Sequence, residues 1–96
     1  MQFAYVLTPC RPTFLQDMTD AESARVAEHF AYLQRMLAAG ELILAGRCDD
    51  ATFGIVIFSA TSPAVARARM EDDPAVVSGV MTAKLHPFRV ALTKAT

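Results

Sequence analysis

The stretch TFGIVIFSA, residues 52–60, constrains the fold of this 96-residue chain more than any other. In an extended backbone Phe53, Ile55 and Ile57 point to one side, and Val56 and Phe58 to the other. A strand with one wet face alternates apolar with polar residues, and this one does not. Residues 42–45, Leu-Ile-Leu-Ala, behave the same way. A sheet built from these two strands needs cover on both faces.

The rest of the chain supplies such a sheet. QFAYVLT, residues 2–8, alternates like a strand, and Pro9 and Pro12 enforce a loop after it. Thr19 followed by Glu22 is a capping box, so a helix is expected from there to Ala39, ended by a left-handed Gly40. ELILAGRC reads as the second strand, and Asp49-Asp50 turns the chain into the third. Ser62 and Pro63 open a second helix over AVARARMED, which cannot pass Asp73 because Pro74 follows. SGVMTAKLHPFRVALT, residues 78–93, reads as one long last strand with Pro87 at a bulge or edge. The order is βαββαβ, an α+β fold of the ferredoxin-like type in a single domain over residues 1–96. A four-stranded antiparallel sheet then carries two helices on one face, and its other face stays bare. A second copy of the chain is the simplest cover. A homodimer with sheets packed face to face is therefore expected.

The composition, 53% hydrophobic and 20% charged with a net charge of −1, suits a folded domain. It gives no electrostatic reason for nucleic acid or an anionic membrane as partner. No apolar run reaches the ~20 residues of a membrane helix and no signal peptide opens the chain, so a cytoplasmic location is expected. Cys10 and Cys48 form no CxxC motif and read as two reduced thiols. No metal or organic cofactor is expected.

One titratable residue stands out. On helical spacing Val26, Phe30, Leu33 and Leu37 share a face, and His29 lies about 60° from its centre. A ring at that boundary is either a general base or a packing residue. In βαββαβ order the ends of the first two strands, with Arg11 and Arg47, and the loop after the second helix, with Asp73, share one edge of the sheet. A carboxylate there would fix the tautomer of His29 and stabilise its imidazolium. Asp73 is best suited, held extended by Pro74, with Asp72 and Asp49 as competitors. Arg11 and Arg47 are suited to a carboxylate or phenolate, and equally to being solvated surface charges. Tyr32, one turn beyond His29, offers a phenol hydrogen bond or an interface aromatic. His86 falls away from that edge and reads as structural.

HFAYL at 29–33, Gly40, LAG at 44–46, Gly54, Asp73-Pro74 and Gly79 together resemble the YCII-related family. Its members carry H-x-x-Y-L on a helix, A-G-P at a strand end and D-P-x-x-x-x-G before the last strand. The resemblance runs through HPFRVAL and implies a dimeric α+β barrel of ferredoxin-like subunits. It also implies that His29 and Asp73 match the family's catalytic histidine and aspartate. One kind of member is a dehydrochlorinase of chlorinated hydroxyquinols, and related barrels include muconolactone isomerases. The function so implied is a small cofactor-independent enzyme with a His–Asp acid/base dyad. Its reaction would be proton abstraction, isomerisation or a dehydrohalogenation-type elimination on a small cyclic or phenolic substrate. Arg11, Tyr32 and Arg47 are its substrate-binding candidates. The alternative is a non-catalytic dimeric module for a small ligand or partner, in which the His–Asp pair fastens the first helix to a loop. Where the family has proline after A-G, this chain has Arg47, a cation at the pocket rim.

Overall fold

Caps and prolines set the element boundaries in the structure, a computed structural model that describes residues 1–94. Strand β1 (Gln2–Pro9) leads through a one-turn helix α1 (Phe14–Asp17) into the long helix α2 (Asp20–Ala38). Strands β2 (Leu42–Arg47) and β3 (Gly54–Ser59) form a hairpin. Helix α3 (Pro63–Glu71), the short α4 (Pro74–Val77) and strand β4 (Met81–Pro87) complete the chain. The sheet is antiparallel throughout, in the order β2-β3-β1-β4, the ferredoxin-like α+β arrangement.

The capping box is formed: Thr19 Oγ1 accepts from the Glu22 N–H at 3.1 Å, and the Glu22 carboxylate accepts from the Thr19 N–H at 2.9 Å. At the other end of α2, Gly40 takes φ 77°, the Gly40 N–H donates to Leu37 O and the Glu41 N–H to Met36 O. That pair of bonds is a Schellman stop. Ser62 caps α3 by accepting from the Val65 N–H, and Asp73 is extended (φ −61°, ψ 125°) ahead of Pro74.

Phe3, Tyr5 and Leu7 of β1 and Val56 and Phe58 of β3 face the helices and pack with Leu33, Met36, Ala66 and Met70. A smaller cluster of Phe14, Ala75 and Val80, joined by Met18 and Val26, ties α1 and α4 to the first half of α2. The opposite side of the sheet presents Val6, Ile55, Ile57 and Leu44 beside Thr8, Thr82, Lys84 and His86. Its apolar share is Leu44, Ile55 and Ile57 of β2 and β3 with Val6 of β1 beside them, as the two-faced pattern of β2 and β3 implies.

The structure corrects several expected details. Helix α2 does not bury Val26, Phe30, Leu33 and Leu37 together: Phe30 and Leu37 are 61% and 60% exposed. Its inward line is Glu22, Val26, His29, Leu33 and Met36, so His29 is in the middle of the packed face. The helix carries two neighbouring stripes, and the one holding Glu22 and His29 turns inward because both find polar partners there. The loop after β1 includes a helical turn, α1, because Phe14 is buried. Residues 74–77 are helical, and Gly79 (φ 80°) delays β4 to Met81. The last strand stops at Pro87; beyond it the Val90 N–H reaches the Gln2 side chain, and the chain has left the ladder.

Candidate functional site

Burying an ionised carboxylate is unfavourable unless its oxygens are fully engaged. Asp73 is 0% exposed, and its carboxylate meets three donors. His29 Nδ1 lies 2.7 Å from Oδ1 and 2.8 Å from Oδ2. The Tyr5 hydroxyl donates to Oδ2 at 2.7 Å, and the Ala75 N–H donates to Oδ1 at 2.9 Å. A carboxylate can only accept, so Nδ1 carries the hydrogen of the shared bond. In the neutral ring that leaves Nε2 unprotonated, and Nε2 makes no hydrogen bond to the chain among the described residues.

Each partner is placed by its own element. Tyr5 stands mid-β1 on the helix-facing side. His29 occupies the inward stripe of α2. Asp73 is the N-cap of α4, and the small cluster under α2 draws that cap inward. Asp73 therefore sits over the middle of β1, and not at the sheet edge beside Arg11 and Arg47 where the topology alone places it. Burial, then the charge of Asp73 and the bond to it, push the Tyr5 phenol far above its ordinary range, so it remains a donor.

Beside His29 a pocket of about 510 Å³ opens between α2 and the β2–β3 end of the sheet. Small residues make the space: Ala45, Gly46 and Gly54 line it where larger side chains would fill it. A Cβ at Gly54 would already stand 3.3 Å from Gly46 O. Leu7, Val26, Leu33 and Val56 form apolar walls, and Phe30 and Phe53 line the pocket beside them. The size falls within the ~300–1,000 Å³ of small-molecule sites.

Arg47 also lines this pocket, with Nη1 donating to Cys48 O at 3.1 Å and Asp49 O at 3.3 Å. Arg11 does not. Its Nη1 and Nη2 reach the two Glu22 oxygens at 2.7 Å each, and its Nε reaches Asp17 at 2.8 Å. That fork holds the Glu22 carboxyl down to about 2. Tyr32 spends its hydroxyl on Arg69 O at 2.6 Å and is absent from the pocket lining. His86 lies on the opposite face of the sheet, paired in register with Ala4. The structure thus places His29 and Arg47 on the lining of one cavity, with Asp73 buried behind the His29 ring and not on the lining, and engages Arg11 and Tyr32 elsewhere.

A family model for the YCII-related domain matches residues 1–88. This chain belongs to the YCII-related family. Among solved structures it is similar to 5-chloro-2-hydroxyhydroquinone dehydrochlorinase (TftG) from Burkholderia phenoliruptrix AC1100, in complex with 2,5-dihydroxybenzoquinone. The TM-score is 0.71 at 23% identity, over 93% of this chain and 94% of that one. At that identity the likeness establishes the fold. No curated protein matches the chain in sequence.

Within this YCII-related fold the residue that sequence reasoning missed is Tyr5. Its alternating pattern marks it as core-facing, and a buried tyrosine must find a partner for its hydroxyl. Which partner is a matter of tertiary structure. Cys10 and Cys48 are free thiols. Among the described residues no group of three or more His, Cys, Asp or Glu is placed to hold a metal, and no helix is long and apolar enough to cross a membrane.

Proposed function

We propose that this YCII-related chain is a small enzyme in which His29 moves protons at the pocket and Asp73 orients it, acting on a small cyclic or phenolic substrate. The observation that carries the reading is the buried carboxylate of Asp73 on Nδ1, which turns the other ring nitrogen into the available base at a pocket-lining residue. When Nε2 accepts a proton, the imidazolium is stabilised by a carboxylate already in place. A hydroxyl or activated C–H of the substrate supplies that proton. The ring then returns it to another atom, an isomerisation, or keeps it while a leaving group departs with its electron pair, an elimination. No metal or organic cofactor enters this scheme.

The fold shared with TftG, a dehydrochlorinase solved with a dihydroxybenzoquinone, supports a hydroxylated ring as the substrate type. On the sheet face away from the helices, exposed Leu44 beside half-buried Val6 and Ile55 supports a homodimer closed through that face. Positioned proton transfer is worth ~10²–10⁴-fold, so His29→Ala should lower turnover of chlorinated or hydroxylated hydroquinones by that factor. Unchanged turnover in a folded variant removes His29 from the chemistry. The ligand-free check is the ¹⁵N spectrum of the His29 ring: wild type should show the Nδ1–H tautomer, and Asp73→Asn should lose that fixed preference.

A second reading, a binding module without catalysis, is favoured by one observation. Asp73 also caps α4 and takes the Tyr5 hydroxyl, so the pair has structural work independent of chemistry. In that case His29→Ala lowers the melting temperature while binding of the ligand survives.

A further inference from the structure

We infer that the pocket beside His29 takes a ring substrate bearing a carboxylate, and that Arg47 is the residue that reads it. The inference rests on the acid/base reading of that pocket and names its substrate class. Arg47 is the one permanently charged side chain among the described residues lining the cavity, and no aspartate or glutamate lines it. Apart from Arg47, Ser23 and the His29 ring, the lining side chains are apolar or absent. Arg47 is exposed at the cavity rim, so what it offers an anion is the directional fork of its guanidinium and not an unscreened field.

The charge of Arg47 is also uncommitted. Arg11, Arg25 and Arg69 each have a carboxylate partner, whereas Arg47 has none within 4.0 Å among the described residues. Two backbone carbonyls hold its Nη1 over the turn, and its Nε and Nη2 make no hydrogen bond in the chain among the described residues. A guanidinium pinned at one nitrogen with donors to spare fits a carboxylate. The turn beneath it is held as well: the Cys48 N–H donates to Phe53 O and the Ala51 N–H to Cys48 O. Ala51 there keeps φ 61°, a left-handed conformation its Cβ disfavours.

The rest of the substrate follows from the walls. Phe30 and Phe53, both exposed, add two phenyl surfaces to the lining, which suits a flat ring. One fixed cation matches one anionic group. The carboxylate anchored at Arg47 then leaves the remainder of the ring to face the His29 side of the cavity.

The test uses the full chain with benzoate and phenol as paired probes, followed by calorimetry and by the His29 ring signals. Wild type should bind benzoate about tenfold or more tightly than phenol, the size of one charge-assisted hydrogen bond. Arg47→Gln should abolish that preference, with benzoate binding weakened about tenfold or more. Arg47→Lys, which keeps the charge without the fork, should retain part of it. Melting temperatures establish that both variants are folded. Equal binding of the two probes by wild type, or no saturable benzoate binding at millimolar concentration, overturns the substrate class. A preference that persists in Arg47→Gln overturns the assignment of Arg47. Each of those results leaves the acid/base reading of His29 standing, since the ¹⁵N tautomer comparison with Asp73→Asn tests it without any ligand.

Discussion

Glu22 and Asp73 both join a carboxylate to a nitrogen base across the inward stripe of α2, and they do so under opposite conditions. At Glu22 the partner is Arg11, the side chains are 20% and 32% exposed, and the fork is taken up by Glu22 and Asp17. At Asp73 the partner is His29, the side chains are 0% and 12% exposed, and one ring nitrogen is left over beside a cavity. Seven residues of α2, or ~10 Å along its axis, separate Glu22 from His29. The first pair is a fastener on the wet side of a helix start. The second is dry, so its loss is severe, and it has a donor–acceptor site to spare, so it can act on something else. Burial fixes the carboxylate partner of the second pair, and geometry leaves the outer ring nitrogen of His29 unfinished, which is the feature the proposed chemistry uses.

The contrast breaks most readily at Asp73. Asp73→Ala strands the Tyr5 hydroxyl, the Ala75 N–H and His29 Nδ1 together, and removing one partner of a buried pair costs about 3–5 kcal/mol. Urea denaturation measures it. A loss no larger than that of an exposed pair would make the two sites equivalent after all.

Tyr5→Phe comes next, at about 1–2 kcal/mol, because Asp73 Oδ2 loses one donor and keeps its bond to His29. It also carries a pH signature. The Tyr5 phenol is raised above its ordinary value of about 10 by burial and by Asp73, so the unfolded chain ionises first. Its contribution is whole below about pH 10 and falls as pH rises beyond that. Urea midpoints followed from about pH 9 to about pH 11 should fall less steeply in Tyr5→Phe than in wild type.

The smallest effect is expected at Glu22. Arg11, through its hydrogen bonds, lowers the Glu22 carboxyl from the ordinary 4.5 to about 2. The stability from that pair is present above pH 4.5 and lost as pH falls through about 2. Arg11→Gln should flatten the acid limb of the melting temperature, and added salt should do part of the same in wild type. An Arg11→Gln loss larger than that of Tyr5→Phe would reverse the ranking of the two sites.

Most of the architecture is legible in local signals. Thr19 and Glu22, Ser62 and Pro63, Gly40, and the Asp73-Pro74 step each act over three or four residues, and each is found where the sequence places it. The two-faced apolar pattern of β3 is likewise a local property, and it reads through to Val56 and Phe58 in the core and Ile55 and Ile57 on the other face. The rotation of α2 is not local. Val26, Phe30, Leu33 and Leu37 make as good an apolar stripe as Val26, Leu33 and Met36, and hydrophobicity alone cannot choose between them. Polar partners chosen elsewhere in the chain decide it. Arg11 shows the same limit: nothing within a few residues says that its fork will close on Glu22 and Asp17.

Local signals set the βαββαβ order, the helix ends, the extended Asp73 and the candidacy of His29, because caps, prolines and side-chain period act within one or two turns of backbone. Tertiary structure alone decided that Asp73 leaves the sheet edge for the space beneath α2, that Tyr5 joins it there, and that Arg47 and not Arg11 reaches the cavity. Those outcomes depend on which buried polar atoms meet across 44 or 68 residues of chain, and a buried hydrogen bond is settled only when both ends have been brought out of water together.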